Sequence, residues 1–153
     1  MENCFGVDLE ERKGGLTMMW KNDIKLKFNG FSKNHIDMVV EQGAGLLAWR
    51  LTGFYGEPEK VRRKETRRLF KGLAIQDDLP WCCFGDFNEI LLDHEKSGGC
   101  LRREGQMVDF REALDKCKLD DLGFLGNWYT WERGNTIENN IRERIDRAVA
   151  TRS

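Results

Sequence analysis

The sequence predicts an α/β sandwich with mixed, largely antiparallel sheets. Strand-like runs crowd the first third of the chain. A short, wholly apolar run then sits between two amphipathic helical segments, and strand-like runs return near the end. Sheets with helices laid on them are the arrangement in which both kinds of element bury an apolar face. The 153 residues suit one domain, since a chain of this size buries roughly 68–70% of its unfolded surface. Lysine plus arginine number 25 and aspartate plus glutamate 26, so the net charge is −1, with 40% hydrophobic residues. That balance excludes a disordered polar chain and a uniformly basic coat. No run reaches the ~18 apolar residues of a membrane helix.

The elements are read in order. Residues 15–20 (GLTMMW) form a short apolar run after a Gly-Gly turn. Residues 24–29 (IKLKFN) alternate apolar and charged, as a half-buried strand does. Residues 36–41 and 46–55 continue the series with short turns between, which predicts an antiparallel meander. Residues 58–73 have helix chemistry: Pro58 suits a first turn, Glu59 suits its positive end, and Val61, Leu69, Phe70 and Leu73 share a face. Seven bases against two acids there offer either a solvated face or a phosphate-binding one.

Residues 81–84 (WCCF) read as a buried central strand. In residues 106–118, Met107, Phe110, Leu114 and Cys117 recur at helical spacing. Residues 119–122 form a short strand. Residues 128–132 and 141–149 form a hairpin around the polar loop RGNTIENN.

Five cysteines, an odd number, and an acidic start unlike a signal peptide point to free thiols in a reducing compartment; with the family resemblance given below, the expected localisation is nuclear or cytoplasmic, not secreted. Cys82 and Cys83 read as small core residues. No Cys-x-x-Cys pair occurs, and His35 and His94 lie far apart, so no zinc site is expected.

The chemistry concentrates in Gly85-Asp86-Phe87-Asn88-Glu89. Residues two apart in extended backbone point to one side, so Asp86 and Asn88 would converge at a sheet edge while Phe87 turns into the core. A carboxylate beside a carboxamide can orient and deprotonate water, and hard oxygens suit hydrated Mg²⁺. The same pattern also occurs as a plain Asx turn.

Other segments join it: Gly14-Gly15-Leu16, Thr52-Gly53-Phe54-Tyr55-Gly56, Gly98-Gly99, Gln106-Met107, Asp121-Leu122-Gly123-Phe124, Tyr129-Thr130-Trp131 and Arg144-Ile145-Asp146-Arg147. In this order, with LPWCCFGDFNEIL, they resemble the endonuclease/exonuclease/phosphatase superfamily. The resemblance is closest to the apurinic-type endonuclease domain of plant non-LTR (LINE-type) retrotransposons, and it covers nearly the whole chain. It implies a four-layer α/β sandwich, Mg²⁺ as cofactor and DNA as partner. It implies that Asp86 positions or activates the water, that Asn88 binds the scissile phosphate region, that Tyr55 lies near that phosphate and that Asp146 orients a histidine. Trp131, with Tyr129, would shape the wall of the site, and Arg62 and Arg63 would contact substrate.

The sequence departs from the family in two places. The family's asparagine and metal-binding glutamate precede the Gly-Gly turn, where only Glu2, Glu10 and Glu11 are available here. Its Ser-Asp-His motif has no match, and His94 after Asp93 stands in the wrong place. The expectation is therefore a single partial domain, residues 1–153, incomplete at both termini. It would be a catalytically impaired fragment of a Mg²⁺-dependent, DNA-nicking phosphodiesterase with no metal-ligand set of its own. The alternative is a non-catalytic nucleic-acid-binding or interaction module.

Overall fold

The computed structural model describes residues 2–8 and 15–152, so Gly14, Glu10 and Glu11 lie outside the described residues. The strands are β1 (Asn3–Asp8), β2 (Gly15–Trp20), β3 (Lys25–Ser32), β4 (His35–Glu41), β5 (Trp49–Tyr55), β6 (Trp81–Asp86), β7 (Lys96–Ser97), β8 (Leu119–Asp121), β9 (Trp131–Arg133), β10 (Ile141–Glu143) and β11 (Asp146–Thr151). The helices are α1 (Arg63–Ala74) and α2 (Glu104–Lys116), with 3₁₀ turns at Lys60–Arg62 and Asp93–Glu95. Among the described residues, no helix is long and apolar enough to cross a membrane.

Six strands form the main sheet in the order β3-β4-β5-β6-β11-β8, beside a two-stranded sheet (β1-β2) and a three-stranded one (β7-β10-β9). Pairing is antiparallel except between β5 and β6. This is the α/β arrangement with mixed, largely antiparallel sheets that the sequence predicts.

Local chemistry explains each layer. In α1, Thr66, Phe70 and Leu73 recur at spacings of four and three and are buried. In α2, Met107, Phe110 and Leu114 do the same. Both helices cover one face of the sheet, and the core between them holds Phe54, Phe70, Trp81, Cys83, Phe87, Phe110, Leu114 and Val149. Phe87 meets Phe54, Phe70 and Phe110 with ring centroids 5.1, 5.7 and 5.6 Å apart, within the range where aromatic pairs add to simple burial. The β1–β2 hairpin lies on the other face, where Met18 packs with Ile36 and Met38 beside Phe5, Trp20 and Leu51.

Several expectations need correction. The meander is β3-β4-β5 only, because β2 pairs with β1, a strand not read from the sequence. NCFGVD mixes polar and apolar residues too briefly to show a period. The 141–149 run is two strands in two sheets, broken at Arg144–Ile145. Val61 falls in the 3₁₀ turn, off the helical face, and is 75% exposed. Cys83 is buried, whereas Cys82 alternates to the opposite face and is half-buried.

Candidate active site at the ends of the central strands

Topology assembles the site. β5 and β6 are parallel neighbours, with α1 between them in sequence, so their C-terminal ends lie side by side. β11 runs antiparallel to β6, so its first residue meets the last residue of β6. The register places Tyr55 opposite Asp86, and Asp86 opposite Asp146. Phe54, Cys83 and Arg147 take the helix side of these strands, and alternation turns Tyr55, Asp86 and Asp146 to the other. Two carboxylates and a phenol therefore stand abreast on three adjacent strands.

Asn88 completes the row. Its backbone N–H donates to Asp86 Oδ1 at 2.7 Å, and its Nδ2 donates to the Gly56 carbonyl at 2.7 Å. Its φ is +53°, a left-handed conformation that asparagine tolerates better than most side chains. The chain turns back here, and Phe87 is anchored by its N–H to the Ile145 carbonyl at 2.9 Å. Glycine is required on both sides of this turn. A Cβ on Gly56 would overlap the Phe87 carbonyl, and one on Gly85, at φ +138°, would overlap the Phe54 carbonyl.

Burial pushes the Asp86 carboxyl up to about 6 from 3.8. The Asn88 N–H opposes that rise, the Asp146 charge adds to it, and Arg102 and Arg63 oppose it. Asp146 itself is exposed at the rim. Its N–H donates to Thr130 Oγ at 3.0 Å, and Ile145 N–H shares that oxygen at 3.1 Å.

Among solved structures, the endonuclease domain of TRAS1, a telomere-specific non-LTR retrotransposon, matches this chain with a TM-score of 0.67 at 13% identity, covering 97% of this chain and 67% of that domain. The fold is that of a retrotransposon endonuclease domain. Two beta toxin structures from Staphylococcus aureus also match, at TM-scores of 0.47 and 0.49 and identities of 16% and 17%. They cover 78% and 82% of this chain, and this chain spans 44% and 47% of theirs. No family model matches the sequence, and no curated protein does either. The chain thus shares the fold of that endonuclease domain over about two thirds of the domain's length.

The structure brings Tyr55, Asp86, Asn88 and Asp146 together. Trp131 is 38% exposed and follows Thr130, which holds Asp146. Arg62 turns instead to Glu57 and Glu65, at 3.4 and 3.5 Å. Arg63 is buried with Nη2 on the Pro58 carbonyl at 3.0 Å and no hydrogen-bond partner for Nε. Its guanidinium is held down to about 10 by burial, with the Arg102 charge adding to that effect and Glu89 opposing it. It faces the site electrostatically rather than as an outward cation. His94 stacks on Trp128 at 5.4 Å, and its carbonyl accepts the indole N–H.

Sequence reading missed the residues that hold the row. Thr130 was visible inside Tyr-Thr-Trp, but its role depends on the hairpin. Asn34 accepts the Tyr55 N–H and donates its amide to the Tyr55 carbonyl, each at 2.8 Å. Asn34→Ala removes one buried bond and leaves that carbonyl short of a donor. The expected cost is about 1–3 kcal/mol in urea unfolding.

Proposed function

We propose that this chain supplies the phosphodiester-binding and water-activating row of a retrotransposon-type DNA endonuclease. One observation carries the reading: Tyr55, Asp86 and Asp146 stand abreast at strand ends, with Asn88 folded back onto Asp86. Asp86 is the general base. A carboxyl pushed up to about 6 accepts a proton from water near neutral pH more readily than an ordinary one. Asn88, its amide steadied by Gly56, and the Tyr55 phenol contact the phosphate oxygens. Asp146, at the exposed rim, orients the partner that protonates the leaving oxygen. The family resemblance gives Asp146 a catalytic histidine to orient, and no Ser-Asp-His sequence occurs in these 153 residues.

Magnesium fits this row poorly. Two carboxylates face it, and Asp86 spends an oxygen on the Asn88 N–H. Among the described residues, no three His, Cys, Asp or Glu side chains converge as a metal site. Among the described residues, the donors of this row do not make a Mg²⁺ site of their own.

These residues alone are therefore expected to nick supercoiled plasmid in Mg²⁺ slowly or not at all, with any nicking lost in Asp86→Ala. Missing general acid–base help alone costs roughly 10²–10⁴-fold. The direct test is binding. A short DNA duplex titrated into the ¹⁵N-labelled chain should shift the Tyr55, Asn88 and Asp146 resonances first. A second reading, non-catalytic nucleic-acid binding, is favoured by Lys60, Lys64 and Arg68, which are exposed and have no carboxylate partner among the described residues. Shifts confined to α1, steeply salt-dependent and unchanged in Asp86→Ala, would select it. No shifts at low salt would overturn both.

A further inference from the structure

Asn88 sits in a conformation that must be held; of its three anchors, one is Asp86 in the row itself and one is the Gly56 carbonyl next to Tyr55. The third comes from outside. Arg102, in the loop before α2, donates Nη1 to the Asn88 carbonyl at 2.9 Å. The same guanidinium forks onto Glu143, Nε to Oε1 at 3.0 Å and Nη2 to Oε2 at 2.9 Å. Glu143 is buried and also takes Lys96 Nζ at 3.0 Å. Its carbonyl accepts the Thr130 N–H at 3.0 Å, and Thr130 holds the Asp146 N–H. One planar group therefore ties the Asn88 turn on β6 to the strand and threonine that set Asp146 on β11.

Stability alone does not account for this arrangement. Arg102 lies close enough to buried Arg63 for the two guanidiniums to repel, and a largely buried ion pair adds little net stability over apolar packing. A fork onto Glu143 would bind as well without the Asn88 contact. The third bond fixes a carbonyl whose peptide would otherwise relax out of the left-handed region.

We propose that Arg102 is a positioning residue, clamped on Glu143, that locks the Asn88 turn in its working conformation and holds it in register with Asp146. It acts through Asn88 and touches no substrate. The assignment of a role to Asn88 rests on the function proposed above, but the clamp itself is tested without activity. Arg102→Met removes the fork and the charge. Arg102→Lys keeps the charge as a single point donor that cannot hold a carboxylate by two bonds and a carbonyl by a third.

The experiment is hydrogen exchange of the Asn88 backbone and side-chain amides in the ¹⁵N-labelled full chain, with and without the DNA duplex. In both variants Asn88 exchange is expected to quicken about tenfold or more, as loss of a charge-assisted bond implies. Exchange in the β4–β5 ladder should be unchanged. The duplex-induced shift at Asn88 should be lost while that at Tyr55 persists. Unchanged Asn88 exchange in both variants, or full rescue by lysine, would overturn the proposal. If Arg102→Met does not fold, Arg102→Lys and Glu143→Gln carry the same comparison. If DNA shifts nothing in the parent chain, the function proposed above fails, and the exchange rates still decide the clamp.

Discussion

Asp86→Asn is expected to stabilise the fold above pH 6 and to leave it unchanged below pH 4. The folded-state carboxyl is raised to about 6 against an ordinary 3.8, chiefly because burial disfavours its charge. Between those values the folded chain holds the proton and the unfolded chain releases it. Stability therefore falls as pH rises through that window and stays lower above it. Asparagine keeps the oxygen that accepts the Asn88 N–H. It also removes both the buried charge and its repulsion from Asp146 directly across the ladder. At pH 7.5 the melting temperature should rise by about 2–5 °C, and the difference should vanish at pH 3.5. A gain at both pH values would mean that charge is not the cause. A loss at pH 7.5 would mean that the attraction of Arg102 and Arg63 for the Asp86 charge outweighs its burial.

Glu95→Ala should have the larger effect, in the opposite sense. Glu95 is 2% exposed. It accepts Arg144 Nη1 at 2.8 Å, Arg147 Nη2 at 2.9 Å and the Leu91 N–H at 2.6 Å. Arg144 and Arg147 are both buried and share Asp121 as their second acid. Alanine leaves two guanidiniums with one half-buried carboxylate, a loss of about 3–5 kcal/mol, which is a large part of a domain's stability. The pH dependence runs the other way from that of Asp86. Burial alone would raise the Glu95 carboxyl, but the bonds and charge of Arg147, then Leu91 and Arg144, hold it below its ordinary 4.5. Its contribution is complete above that value and is lost as pH falls through the lower folded one. Urea unfolding at pH 7 and pH 3 should show the Glu95→Ala deficit shrinking in acid. A deficit equal at both pH values would assign the effect to packing.

These two carboxyls show where the sequence could be read. Asp86, Asn88, Tyr55 and Asp146 were legible because each sits in a short motif at a strand end. Strand alternation then says which way Tyr55, Asp86 and Asp146 point. It does not place Asn88: the extended backbone expected through that residue ends at Asp86, and an Asx turn with Asn88 at φ +53° folds it back instead. The core faces of α1 and α2 were legible for the same reason, except for Val61, which a 3₁₀ turn removed from the helical period. The supports were not legible. Arg102 lies 41 residues from Glu143, Asn34 lies 21 from Tyr55, and Glu95 lies 52 from Arg147. Such pairs follow from the completed fold, and no local spacing announces them. The Arg144–Ile145 break also escaped, since those residues read as one β-rich run until Arg144 turns in to Glu95.

The position of β11 also carries an expectation for the order of events in folding. It is the latest of the described strands, yet it lies between β6 and β8, pairing with both. The mate of Asp86 is 60 residues downstream, so that half of the row cannot exist on a growing chain until β11 has emerged. Until then Trp81–Asp86 carries an open backbone edge, and its first four residues, WCCF, are an apolar, β-prone and uncharged stretch of the kind that pairs with other chains. Closure over such sequence distances is slow. Pulse labelling of refolding chains should find the β6–β11 amides protected after the β3–β4–β5 meander.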